Sequence, residues 1–183
     1  MIYPIVAYGD PVLKRVAEPI EKGTDIKKLV ADLYETMYNA SGVGLAAPQV
    51  GLSMRLFVTD GSPMDEDDEV LQAFKKVFVN PTILEETGTE WAFEEGCLSI
   101  PGIRADVNRP PKVKIHYFDE NWNEYTEEFE GLPARIIQHE YDHLQGVLFV
   151  DKISAMKKRL IQSKLSDISR GKARADYRLR FAK

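Results

Sequence analysis

LPARIIQHEYDHLQG, Leu132–Gly146, spaces Ile136, Ile137 and Leu144 for one helical face and carries His139-Glu140-Tyr141-Asp142-His143 within it. The pattern predicts a helix over Leu132–Gln145, closed by Gly146. Four residues make one turn plus about 40°, so both imidazoles project from the same face and can share a divalent metal ion, with Glu140 beside the open coordination position. An HExxH can arise by chance on a surface helix. What sets this one apart is the scarcity of histidine, because two of the three in the chain are these.

Two histidines do not complete a catalytic site, so a third ligand must come from elsewhere. In the longer HExxHxxGxxH pattern Gly146 fits, but the last histidine position holds Phe149. A glutamate from a downstream helix is also ruled out, since no glutamate follows Glu140. Upstream, His116 lies in the alternating stretch KVKIHYFD, where an outward or packing role is expected. Cys97 differs, because Gly96, Pro101 and Gly102 surround it with turn chemistry. On its own it would read as a small core residue. Beside an HExxH that lacks any other third ligand, it reads as the thiolate of a Cys-His-His site.

Around this centre the chain reads as one domain of 183 residues with no repeats. Ile26, Val30, Leu33, Tyr34 and Met37 predict a helix over Asp25–Asn39 with Thr24 as its cap, followed by a glycine-rich loop, Ser41–Gly51. Strands are expected at Arg55–Thr59, Lys76–Val79, Thr82–Glu86, Val113–Phe118 and Tyr125–Glu130. Asp65–Glu69 reads as an exposed acidic insertion. Ser154 to about Ser169 reads as a basic amphipathic helix with Met156, Leu160, Ile161, Leu165 and Ile168 on one face. Strands in the middle and helices towards the ends, without βαβ alternation, point to an α+β fold: mixed or antiparallel sheets around a central HExxH helix, with a C-terminal helix.

Charge divides the chain. Residues 1–150 carry 13 Lys and Arg against 26 Asp and Glu, whereas residues 151–183 carry 11 against 3. The expected organisation is an acidic catalytic body, 1–150, with a basic helix and tail, 151–183, appended to the same domain. No apolar run approaches the roughly 20 residues of a membrane span. The N-terminus lacks a basic region ahead of its apolar run, so no signal peptide is read and the cytoplasm is the expected location, with the lone Cys97 kept reduced there.

Three separated segments, GVGLAAPQVG (Gly42–Gly51), EGCLS (Glu95–Ser99) and QHEYDHLQG (Gln138–Gly146), resemble the three signature motifs of the peptide deformylases, in the family's order. The EGCLS form and the basic helical tail are similar to the bacterial type. The resemblance implies a metal-dependent amidase that hydrolyses the N-formyl group of formylmethionine at the start of nascent polypeptides and releases formate. It implies Cys97, His139 and His143 as metal ligands and Glu140 as general base and acid. Gln49, through its side-chain amide, and Leu98, through its backbone N–H, are implied as oxyanion donors. Gly44 lies where backbone groups pair with the substrate peptide. Val43, Phe93, Ile136 and the ring of His139 are expected around the methionine side chain, with Arg135 at the rim of that pocket or on the surface. The metal implied is iron(II), with zinc, nickel or cobalt as substitutes. The basic tail is expected either to end in a solvated, disordered terminus or to contact ribosomal RNA. Two other readings fit parts of the chain: a zinc endopeptidase, and a non-enzymatic ribosome-associated protein with a structural metal.

Overall fold

The computed structural model describes all 183 residues. Its largest sheet has five antiparallel strands in the order β2-β3-β4-β7-β8, namely Gly44–Ala46, Leu56–Asp60, Lys75–Thr87, Lys112–Phe118 and Glu124–Glu130. A separate antiparallel pair joins β5 (Trp91–Cys97) to β6 (Ile100–Arg109), and β1 (Ile5–Val6) runs parallel to β9 (Leu179–Arg180). Four α-helices complete the α+β fold: α1 (Lys27–Asn39), the short α2 (Glu69–Gln72), α3 (Gly131–Leu144) and α4 (Ala155–Ser169). None is long and apolar enough to cross a membrane.

Helices cover both faces of the large sheet, which is why β3 is buried along its whole length. Side chains alternate along a strand, so Leu56 and Val58 join Val30, Leu33 and Met37 of α1, while Phe57 between them joins Ala134, Ile136 and Ile137 of α3. Phe57 and Tyr117 pack on either neighbouring side of Phe78, with ring centroids 4.6 and 4.4 Å away. A third cluster joins Ile103, Ala105 and Val107 of β6 to Ile161, Leu165 and Ile168 of α4. The HExxH helix packs on the large sheet and is tied to the β5–β6 pair by Arg135 and His139.

Several local expectations are corrected. Thr24 does not cap α1; its hydroxyl donates to the Glu21 carbonyl, and the Asp25 carboxylate accepts from the Lys27 N–H instead. Ser41–Gly51 is not a plain loop, because β2 and a 3-10 turn lie within it. Lys76–Val79 and Thr82–Glu86 belong to one strand, β4, whose register shifts around Pro81. β5 escaped the alternation reading because adjacent glutamates mask its period, and β6 was passed over although Ile103–Arg109 alternates. On α4, Ile161, Leu165 and Ile168 are buried, whereas Met156 and Leu160 remain 75% and 71% exposed. The acidic stretch forms turns and the start of α2, where the Asp68 carboxylate accepts from the Val70 and Leu71 N–H groups.

Candidate metal centre

The fold brings the end of β5 against the last turns of α3. Cys97, His139 and His143 present ligand atoms that all lie within 4.8 Å of one another, with Cys97 Sγ 3.4 Å from His143 Nε2. A tetrahedral ion with a metal–sulfur bond of about 2.3 Å and metal–nitrogen bonds of about 2.0–2.1 Å requires sulfur–nitrogen spacings of this order. Nearby, Glu140 Oε2 is buried without a hydrogen-bond partner, as is His143 Nδ1. A cysteine sulfur and two imidazoles converging beside an unpaired carboxylate oxygen are a donor set that fits one divalent metal ion.

His139 is oriented from behind. Its Nδ1–H donates to Glu95 Oε1 at 2.8 Å, which turns the lone pair of Nε2 towards Cys97 and His143. Glu95 can only accept, because two guanidinium groups hold it ionised. Arg109 of β6 donates to it through Nε at 2.7 Å and Nη2 at 3.0 Å, and Arg135 of α3 through Nη1 at 2.9 Å. Burial alone would raise the Glu95 carboxyl, but His139 and Arg109 hold it well below the usual carboxylate range. The arginines have further partners: Arg109 also reaches Asp142, and Arg135 reaches the carbonyls of Val107 and Trp91 and lies over the Trp91 ring, with Arg135 Nε left unpaired.

The opposite wall comes from the glycine-rich segment. Gln49 accepts from the Ala46 N–H through Oε1, which points its Nε2 at Cys97 Sγ, 3.4 Å, and Ser99 Oγ, 3.3 Å. The Leu98 N–H donates to no protein group. Gly44 owes its identity to Glu140: a Cβ there would stand 2.6 Å from Glu140 Oε1. Burial pushes the Glu140 carboxyl up to about 7. Val43, Gly44, Gln49, Phe93, Cys97, Leu98, Ile136, His139 and Glu140 line one cleft of about 620 Å3, and His143 lies behind them at 1% exposure.

The model of the polypeptide deformylase family matches residues 2–159. The chain belongs to that family. Peptide deformylase of Cytophaga hutchinsonii is 61% identical over 99% of this chain and 98% of its own length, and that of Christiangramia forsetii is 56% identical over 99% and 96%. The crystal structure of the Thermus thermophilus peptide deformylase superposes with a TM-score of 0.84 at 40% identity, covering 93% of this chain and 99% of that one. Membership makes this chain a metal-dependent hydrolase that removes N-formyl groups from polypeptides.

Within this deformylase every sequence-derived site residue lies at or directly behind the cleft. Arg135, expected at the rim or the surface, is instead 2% exposed beneath it, because its charge is spent on Glu95 and two carbonyls. Arg109 went unnoticed, although it follows Ile103, Ala105 and Val107 at the inward parity of β6, where a charged residue signals a buried partner. Glu95 stood inside a motif without a role. Tyr177, whose hydroxyl donates to the Leu98 carbonyl at 2.7 Å, had no local signal; burial pushes its phenol up to about 12, so it is a donor at neutral pH.

Replacing Glu95 leaves the buried Arg135 guanidinium without a counter-charge and Arg109 with Asp142 alone. Glu95→Gln is expected to lose about 3–5 kcal/mol near neutral pH and roughly 10- to 100-fold in metal affinity, read by denaturant titration and metal competition. Because the folded pKa of Glu95 is depressed, its contribution is fully present above the unfolded value of about 4.3 and fades as pH falls below it. The stability gap between variant and parent is therefore expected to narrow in acid.

Proposed function

We propose that this deformylase acts on formylmethionyl ends of nascent polypeptides, with Cys97, His139 and His143 holding one divalent ion and Glu140 moving the proton. Glu140 carries the reading. It is 4% exposed, one oxygen lacks any partner, and it stands between the ligand set and Gly44 at the floor of the cleft. A buried carboxylate with a free oxygen beside the ligand set can take a proton from water and return it to an amine within one turnover.

When bound, the ion supplies Lewis-acid polarisation of the formyl carbonyl and lowers the pKa of water towards neutrality. Glu140 Oε2 accepts the proton of the water that attacks the formyl carbon. Gln49 Nε2–H and Leu98 N–H meet the negative charge that develops on the carbonyl oxygen, each donor being worth about 100- to 1,000-fold in such a site. Glu140 then delivers the proton to the amine as the C–N bond breaks, and formate and a free N-terminus leave.

A formyl group offers little to bind, so the methionine and the backbone after it must supply the affinity. The outer edges of β2 and β5 both carry cleft residues and pair with no other strand. An extended peptide laid between them gains backbone hydrogen bonds, and Val43, Phe93, Ile136 and the His139 ring surround its first side chain. Iron(II) is the ion we assign, since a thiolate with two imidazoles accepts iron, zinc, nickel or cobalt and the family resemblance favours iron. A reducing cytoplasm suits such a thiolate. Residues 1–150 act as the catalytic body and 151–183 as its basic extension.

Contact with the ribosome is supported by the exposed side of α4, where Lys158, Arg159 and Lys164 are exposed together with Met156 and Leu160, and by Arg170 at its C-cap. Co-sedimentation with ribosomes is expected to weaken steeply between about 50 and 200 mM salt and to fail when Arg159 and Lys164 are made acidic.

Glu140→Gln is expected to keep its metal but lose formate release by about 100- to 10,000-fold. It also has a stability signature. The folded pKa of Glu140, about 7, lies above the unfolded value of about 4.3, so stability of the metal-free protein falls as pH rises between them. At pH 8 metal-free Glu140→Gln is therefore expected to be more stable than the parent by about 1–3 kcal/mol, read by denaturant titration with chelator.

A further inference from the structure

The C-terminal segment does not trail into solvent. Past α4 the chain reverses at Gly171, with φ 77°, crosses the mouth of the cleft and closes as β9 against β1. On the way Arg174, Ala175, Asp176 and Tyr177 line the same cavity as Gln49, Cys97 and Glu140. Basic composition suggested a free end, but the segment is held by backbone pairing: the Ile5 and Ala7 N–H groups donate to the carbonyls of Arg178 and Arg180 at 2.8 and 2.9 Å. The Arg180 guanidinium packs over Gly51, where a Cβ would stand 2.6 Å from it, and Leu179 and Phe181 join the β6–α4 core.

This return reaches the turn that follows Cys97. The Tyr177 hydroxyl donates to the Leu98 carbonyl at 2.7 Å. One residue on, the Ser99 carbonyl accepts from the Tyr8 N–H at 2.8 Å, and Tyr8 lies just beyond β1. The Ser99 hydroxyl accepts from Gln49 Nε2. Both carbonyls of the Leu98–Ser99 turn are thus tied to the β1–β9 pair, and the unpaired Leu98 N–H projects from a turn whose plane the tail holds.

We propose that Tyr177 is a positioning residue for deformylation, which by fixing the Leu98 carbonyl sets the turn that presents the Leu98 N–H to the oxyanion. The proposal rests on the reading of Leu98 as an oxyanion donor. Tyr177 lines the cleft, but its hydroxyl is engaged by the Leu98 carbonyl, so removing that hydroxyl while the ring stays acts through the turn and falls on the transition state more than on ground-state binding. A donor displaced by about 1 Å can cost up to 100-fold in rate. Removal of one hydroxyl while the ring still packs loosens the turn without deleting the donor, and a loss of about 10-fold is expected.

Tyr177→Phe in the metal-loaded full chain tests this, with Gln49→Ala alongside. The expected result is a kcat about 10-fold lower, KM for a formylmethionyl peptide within about twofold, one equivalent of metal retained, and a displaced Leu98 amide resonance in the zinc-loaded protein. Tyr177→Leu, which also removes the ring, is expected to repeat the kcat loss and to lower the Tm further. If Tyr177→Phe keeps the parent kcat while Gln49→Ala loses it, Tyr177 is only a packing residue and the proposal fails with the oxyanion reading intact. If both variants keep the parent kcat, the oxyanion reading itself is wrong. A kcat loss that tracks loss of metal also overturns the proposal.

Discussion

One buried carboxylate, Glu95, decides how the rest of this site is held. It stands on β5 two residues before Cys97, grips Arg109 of β6 and Arg135 of α3, and receives the Nδ1–H of His139. Each of these groups would be costly to bury alone, and together they leave no charge or lone pair of Glu95 unmatched. Such a network need not add net stability over an apolar core of the same volume. Its contribution is direction: it fixes the approach of β5 to α3, and with it the spacing of Cys97 from His143 and the tautomer of His139.

The consequence reaches the opposite wall. With α3 fixed by Glu95, Glu140 must lie against β2, and only glycine at position 44 leaves room for it. Gln49 then aims its amide at the Cys97 sulfur because its oxygen is occupied by the Ala46 N–H. The Cys97-His139-His143 cluster, Glu140 and Gln49 thus meet at one cleft from three elements, with His139 and Gln49 each oriented by a hydrogen bond made on the far side.

Much of this centre was legible in the sequence, for identifiable reasons. The two histidines lie on one helix, where spacing alone sets direction, and Cys97 followed from the poverty of other ligands. Gln49, Leu98 and the pocket residues came only through the family resemblance, because their meeting depends on tertiary contacts that no local period encodes. Alternation found β3, β7 and β8. β6 was passed over although Ile103, Ala105 and Val107 alternate with Arg104, Asp106 and Asn108, and β5 was hidden because Glu95, which faces the buried network, reads as a solvent position. Arg135 was misplaced for the same reason. The tail was misread because composition records charge but not backbone pairing, and β9 is held by main-chain groups.

The central claim is that Cys97, His139 and His143 hold the ion on which formate release depends. Anaerobically purified protein, probed by X-ray absorption at the metal edge and assayed for formate release on the same sample, tests it most directly. One equivalent of metal is expected, iron by our assignment, bound by one sulfur and two imidazole nitrogens from the protein, with activity lost on chelation and recovered when metal is restored. A metal shell without sulfur, or formate release that survives complete removal of the metal, would contradict it.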